Sequence, residues 1–350
     1  MTPPEPATTT VATPEQTRAL LETGAVVRWW QVTAFLEASG PDAATLLDGL
    51  CTQAVERIEP GTAVLGLFLD AKARIIAPAL LHRLPDGPWH DPRRDELVED
   101  APRLLLETLP DLVEPLRAHL AKYRLRARAG FEPVDVSTVA LIGSSLPDTP
   151  VATSGAWTTV HGGAHPTRAF IGSAEACASV VRDAVDVGGL ALADPDTVEA
   201  DRIMRGVPGL HDLLVGRMPA EVGGMDGAVA LDAGCYLGQE PVARLHYRGH
   251  ANRTLRRIES SGPIAPEAIA DDTDAPAAAL DEVLAVHRED APEDARAVGR
   301  LTTWAPTPDG GTVALAMLRR EVARGETLRR GDDRPLVVVD APDPEPAPEP

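Results

Sequence analysis

The 350-residue chain carries 53 Asp and Glu against 33 Lys and Arg, a formal net charge of −20, with 44% hydrophobic and 3% aromatic residues. That composition is globular and allows two or three domains. Its acidity argues against free DNA or RNA as a partner, because phosphate binding calls for a basic surface. No apolar run approaches the roughly 20 residues that span a bilayer, so no membrane partner is expected.

Residues 1–24 read as a largely disordered tail, rich in Pro and Thr over the first 13 and without the basic and apolar regions of a secretory signal. A cytoplasmic protein is expected. Strands are predicted at 62–70, 138–143, 254–260, 312–320 and 334–339, where branched and apolar residues cluster. Leu112, Val113, Leu116 and Leu120 form one apolar stripe on a helix ending near Lys122. Ser173 is placed to cap a helix carrying Cys177, Val180, Val181 and Ala184. Asp196 and Glu199 resemble a capping box on a helix that Gly206 and Pro208 end. Residues 264–297 are acidic and rich in Ala and Pro, and read as a long loop holding a short strand near Val286. The tail 341–350 reads as disordered. This irregular alternation favours α+β over a doubly wound sheet.

The chemistry concentrates in 219–258. Arg244, Arg248, Arg253, Arg256 and Arg257 lie there with His246 and His250, and no Asp or Glu follows Pro241. Such a run either focuses positive potential on a small anion or pairs with acidic surface elsewhere. Upstream, Gly234 and Gly238 bracket Cys235 and Tyr236 before Gln239 and Glu240, a spacing that fits a tight turn against a ligand or another strand. Cys235 is then either a functional thiol or a buried inert one. Its companions Cys51 and Cys177 are scattered, with no C-x-x-C pair, which suits a reducing compartment and supplies no metal site. His246 and His250 have H-x-x-x-H spacing, but Gly249 argues against a helix presenting both on one face.

GCYLGQE (234–240) followed by VARLHYRG resembles the signature of the YgfZ family of folate-binding proteins, relatives of the glycine cleavage T-protein, whose motif reads Lys-Gly-Cys-Tyr-x-Gly-Gln-Glu. EADRIMRGVPGLHDLL (199–214) is similar to the family's E-x-x-R-I-x-x-G-x-P element, and Pro219, Glu221 and Gly223 to its P-x-E-x-G turn. LDAKARI (69–75) and HLAKYRLRARA (119–129) follow the same order. The resemblance implies a GcvT/YgfZ-like two-part folate-binding region over 25–252 and a small C-terminal β-barrel over 253–340. Tetrahydrofolate would be bound, with Glu221 meeting the pterin donors, Arg244 and Arg248 the glutamate tail, and Tyr236 walling a ring beside Gln239 and Glu240. The implied function is that of a tetrahydrofolate-binding accessory protein for assembly or repair of iron–sulfur enzymes, with Cys235 as the motif thiol and client enzymes or assembly factors as partners. The alternative is a folate-dependent aminomethyl transferase or demethylase.

Three departures stand out. The family's motif lysine is Ala233, its glycine after Lys72 is Ala73, and the aspartate of its T-x-D-V element is Ala54. Where the T-protein carries a pair of aspartates the chain has Ala77 and Pro78, which transfer no proton.

Overall fold

The protein is described by a computed structural model over residues 11–29, 33–91, 96–147, 155–223, 225, 227–264, 284–292, 295–330 and 335–340. The read disordered stretches 1–10 and 341–350, and 265–283 of the acidic loop, lie outside these residues. The chain divides into two compact units. The first comprises Met1–Pro195, Val215–Pro219 and Met225–Ala243, and the second Asp196–Leu214, Ala220–Gly224 and Arg244–Pro350.

The tail read over 1–24 does not extend past Thr13. Pro14–Thr23 forms helix α1, capped reciprocally by Thr13, whose hydroxyl accepts the Gln16 N–H, and by Gln16, whose side chain accepts the Thr13 N–H. Composition hid this cap among prolines and threonines.

Ten strands of the first unit form one sheet among the described residues. They are β1 (Val26–Arg28), β2 (Ala34–Ser39), β3 (Thr62–Leu69), β4 (Ile75–Asp91), β5 (Glu96–Thr108), β6 (Gly130–Val134), β7 (Ser137–Ile142), β8 (Ala156–Val160), β9 (Thr167–Gly172) and β10 (Ala191–Leu192). Their order is β10-β1-β7-β9-β8-β3-β4-β5-β2-β6. Two halves of the sheet join where β3 and β8 run parallel, Thr62 opposite Thr159. Helices α2 (Ala43–Asp48) and α3 (Val113–Arg124) close one core with Leu47, Leu116 and Leu120. Helix α4 (Ala174–Arg182), capped by the Ser173 hydroxyl as predicted, closes another with Cys177, Val180 and Val181. The long β4–β5 hairpin was not legible in sequence, because Pro78 interrupts its apolar alternation. The Pro78 carbonyl instead accepts the buried Thr108 hydroxyl at 2.6 Å.

Inside this sheet His82 is held between Thr158 Oγ1 at 2.8 Å and Glu107 Oε2 at 2.9 Å, and Thr33 donates to Glu107 Oε1 at 2.7 Å. The connectivity is that of a nucleophile triad. With Thr158, His82 and Glu107 only 2%, 0% and 3% exposed, however, no substrate reaches it, and the group is a core polar network.

The second unit holds a closed barrel of β11 (Arg253–Ser260), β12 (Ala285–Arg288), β13 (Gly299–Pro306), β14 (Thr312–Arg319), β15 (Thr327–Arg329) and β16 (Leu336–Val338), in the order β11-β14-β13-β12-β15-β16. The boundary read at 252/253 falls inside this unit. Helix α5 (Pro195–Met204) belongs to it, all but the first residue, because Ala200 and Ile203 pack with Ala305, Val313 and Leu315 of the barrel. The helix opens at Pro195, which puts Asp196 in its first turn instead of at the cap, and Gly206 ends the segment at φ +69°.

The E-x-x-R element here is a clamp. Arg202 forks onto Glu199 and reaches Asp212 at 2.9 Å. Asp212, fully buried, also accepts the Gly209 N–H at 2.8 Å and the hydroxyls of Thr302 and Thr303 on β13. The arginine run is resolved similarly in part. Arg256 is 1% exposed and donates to Asp340 at 2.8 Å and to the Val322 carbonyl, while the Arg257 side chain donates to the Met204 carbonyl. Both guanidinium groups thus make contacts within the barrel unit.

Candidate functional site

The motif loop of the first unit is fastened by residues far away in sequence. Thr52, fully buried, donates its hydroxyl to the Ala228 carbonyl at 2.5 Å and accepts the Leu67 N–H at 2.9 Å. Its carbonyl accepts the Ala230 N–H at 2.8 Å. Gln53 bridges the carbonyls of Leu65 and Gly227, both at 2.6 Å, and the Leu237 N–H donates to the Gly49 carbonyl at 3.0 Å. Arg57 reaches Asp232 at 2.9 Å. Sequence reading passed over Thr52 and Gln53, since nothing local in LCTQAV marks a partner some 175 residues away.

Gly238 has a physical reason to be glycine. Its φ is +84°, and a Cβ there would lie 2.7 Å from the Asp70 carbonyl oxygen and 3.1 Å from Ala73 Cα. The turn it touches is tied by Asp70, whose carboxylate accepts the N–H groups of Lys72 and Arg74. Ala73 sits there at φ +59°, fully buried. The family's glycine at that position is thus a backbone requirement, which alanine meets under strain, and its loss removes no ligand-binding group.

On this frame Cys235 is exposed, whereas Cys51 and Cys177 are buried. Burial pushes the Cys51 thiol up to about 12 and the Cys177 thiol to about 11, which makes both inert near neutral pH. Tyr236 beside the exposed thiol is 7% exposed, and burial, with Cys51 nearby, raises its hydroxyl to about 12. It therefore stays protonated and packs as part of the core. Gln239 opens helix α6 (Gln239–Arg248), its side chain donating to the Gly234 carbonyl at 3.3 Å, and Glu240 lies exposed in the first turn, where the helix dipole favours a carboxylate. Arg244 is exposed on the same helix, and the side chain of Arg248 lies outside the described part. Because α6 ends at Arg248, His246 and His250 do not share a helical face.

Replacing Thr52 with the isosteric Val should loosen this loop. It leaves the Leu67 N–H and the Ala228 carbonyl without the hydroxyl, at a cost of about 2 kcal/mol. Urea unfolding measures that loss, and limited proteolysis should move its first cut into 227–238. An unchanged midpoint and cutting pattern would sink the idea that Thr52 is the fastening.

The second unit contributes a cleft of about 740 Å³ lined by Glu221, His250, Asn252, Arg253, Arg319, Arg320 and Glu321. Glu221 ends a short 3-10 turn and is half-buried. Arg253 of β11 and Arg319 of β14 are direct register partners, so two guanidinium groups enter the cleft from neighbouring strands. Like charges opposite one another on a sheet repel. Glu321, 3.6 Å from Arg319, offsets part of this. The arginines that line the cleft with Glu221 are Arg253, Arg319 and Arg320; of the expected pair, Arg244 is not in this lining and the Arg248 side chain lies outside the described part.

An α+β chain with a long mixed sheet and a closed six-stranded barrel has a GcvT-like fold. The structure matches that of the glycine cleavage system aminomethyltransferase T from Bartonella henselae with a TM-score of 0.65, over 92% of this chain and 87% of that one, at 13% identity. In sequence the chain is 27% identical over 326 residues to the iron-sulfur cluster assembly factor IBA57, mitochondrial, of Mus musculus, spanning 88% of this chain and 81% of that protein. It is 28% identical over 250 residues to the Homo sapiens protein of the same name, 65% of each chain. No protein-family model matches. The chain thus shares the fold of the aminomethyltransferase T and is similar in sequence, over most of its length, to the IBA57 assembly factors. Among the described residues no helix is long and apolar enough to cross a membrane.

Proposed function

We propose that the chain is an accessory factor for iron–sulfur cluster assembly that binds a reduced folate in the Glu221 cleft and presents Cys235 to partner proteins. The observation that carries the reading is the contrast among its thiols. Two are buried and held protonated, and the third is exposed on a loop that Thr52 and Gln53 fasten. With three scattered cysteines the chain supplies too few thiolates for a four-cysteine cluster, so any cluster is cargo shared with a partner. The relatives that share most of its length bear the name of cluster assembly factors, and by name work in mitochondria. Free thiols suit a reducing compartment.

The cleft fits a folate. A half-buried carboxylate accepts the pterin N–H donors, and guanidinium groups pair with tail carboxylates in forked geometry. The tail partners under this reading are Arg253, Arg319 and Arg320. Aminomethyl transfer is the weaker reading, because Ala77 and Pro78 on β4 supply no carboxylate.

Calorimetric titration with tetrahydrofolate should show saturable binding that Glu221→Ala abolishes. Cys235→Ser should abolish maturation of iron–sulfur enzymes in cells that depend on this chain, while leaving folate affinity within about twofold, a difference under ~0.5 kcal/mol. Parallel loss of both properties would make Cys235 a packing residue. Formation of methylene-folate from a methylamine donor would favour the transferase.

A further inference from the structure

The end of helix α3 combines exposed apolar surface, backbone strain and a run of cations. Leu125 is 82% exposed. It is also left-handed, at φ +43° and ψ −105°, in a turn closed by the Ala127 N–H donating to the Arg124 carbonyl at 2.7 Å. These are the angles of the second residue of a type II′ turn, a position that glycine takes without strain and a γ-branched side chain does not. Among the described residues the other non-glycine at positive φ is Ala73, which is buried against the motif loop. Finally, 122–128 reads KYRLRAR, four cations without an acid in a chain of net charge −20. Arg128 is tied to Asp42, which accepts its N–H at 2.7 Å, but no carboxylate among the described residues pairs with Arg124 or Arg126.

Simpler accounts cover only parts of this. Cations in the last turn of a helix are favoured by its dipole, which explains Lys122 and Arg124 but not Arg126. A lone exposed leucine is ordinary on any surface. A leucine that is both exposed and strained is not, because glycine at that position would relieve the backbone and give up little burial. Strain of this kind persists where a side chain is needed outside the chain.

We infer that residues Lys122–Arg126 are a docking tip for an acidic partner protein, which takes Leu125 into an apolar pocket rimmed by carboxylates. Charge complementarity selects an acidic surface, and the leucine selects a protein over a polyphosphate, to which an aliphatic side chain adds nothing. The inference stands apart from the folate reading and does not depend on it.

The test begins with a benzoyl-phenylalanine photocrosslinker at position 125 of the full chain in its own cells, followed by purification of the captured protein and titration against defined variants. Leu125→Gly should melt about 2 °C higher, since turn strain is relieved, and should bind the purified partner at least about tenfold more weakly. Arg124→Glu combined with Arg126→Glu should weaken binding likewise, and wild-type binding should weaken with salt. A lower melting temperature for Leu125→Gly would show that the leucine acts inside the fold and would overturn the inference. So would the absence of any acidic protein among the crosslinks, or equal affinity of the purified partner for the glycine variant. Vesicles containing one-quarter phosphatidylglycerol serve as the remaining arm. Binding to them through the same residues would replace a protein partner with a lipid surface.

Discussion

Asp212→Ala should lower the stability of the second unit by about 3 kcal/mol, within the range seen when one partner of a buried ion pair is removed. Four donors converge on this fully buried carboxylate: the Arg202 guanidinium, the Gly209 N–H and the hydroxyls of Thr302 and Thr303. Its removal takes the acceptor from Gly209 and Thr303, leaves Thr302 only the Leu315 carbonyl at 3.1 Å, and weakens the link from α5 to β13. Arg202 keeps Glu199, which is why the loss stays near the lower end of the range. At about 2–4 °C per kcal/mol for a protein of this size, the melting temperature should fall by roughly 6–12 °C. Asp212→Asn, which retains an acceptor, should recover part of that. A calorimetric shift under about 2 °C for the alanine variant would mean that the clamp carries little stability.

Glu107→Leu should cost a similar amount, about 3 kcal/mol, and should also change how stability depends on pH. Glu107 is buried, which by itself would raise its pKa. The hydrogen bond and charge of His82, the Thr33 hydroxyl and the charge of Arg28 outweigh burial and hold it below the ordinary carboxylate value. A group whose folded pKa lies below its unfolded value stabilises the fold above the unfolded pKa, near 4.5, and loses that contribution as pH falls through the folded pKa. Unfolding free energy of the wild type should therefore decline on acidification from about pH 5 downward, and more steeply than in Glu107→Gln, which carries no titrating carboxyl. Urea melts at a series of pH values give both slopes. Parallel curves for the two proteins would exclude Glu107 as a source of the acid dependence.

Much of the local structure was legible without coordinates. The Ser173 cap, the apolar stripe ending near Lys122 and the strands near 62–70, 138–143, 254–260 and 312–320 all rest on interactions within a few residues, which sequence reports directly. The order of motifs likewise carried the resemblance that the GcvT-like fold and the IBA57 relatives bear out. Where reading fell short, the cause was distance along the chain. The E-x-x-R element looked like part of a folate region, yet its arginine serves Asp212 and β13 of the barrel unit. For Arg256 and Arg257 the sequence left anion binding and internal pairing both open, and contacts with Asp340 and the Met204 carbonyl decide for pairing.

By itself the sequence determined the Ser173 cap, most strand positions, acidity and the presence of a Gly-Cys-Tyr turn, since each depends on neighbours in the chain or on composition alone. Tertiary structure decided which of three thiols meets solvent, which arginines share a cleft with Glu221, and that Thr52 and Gln53 fasten the motif loop. Burial and long-range hydrogen bonding set those outcomes, and both are properties of residues brought together by folding across up to about 175 positions of chain.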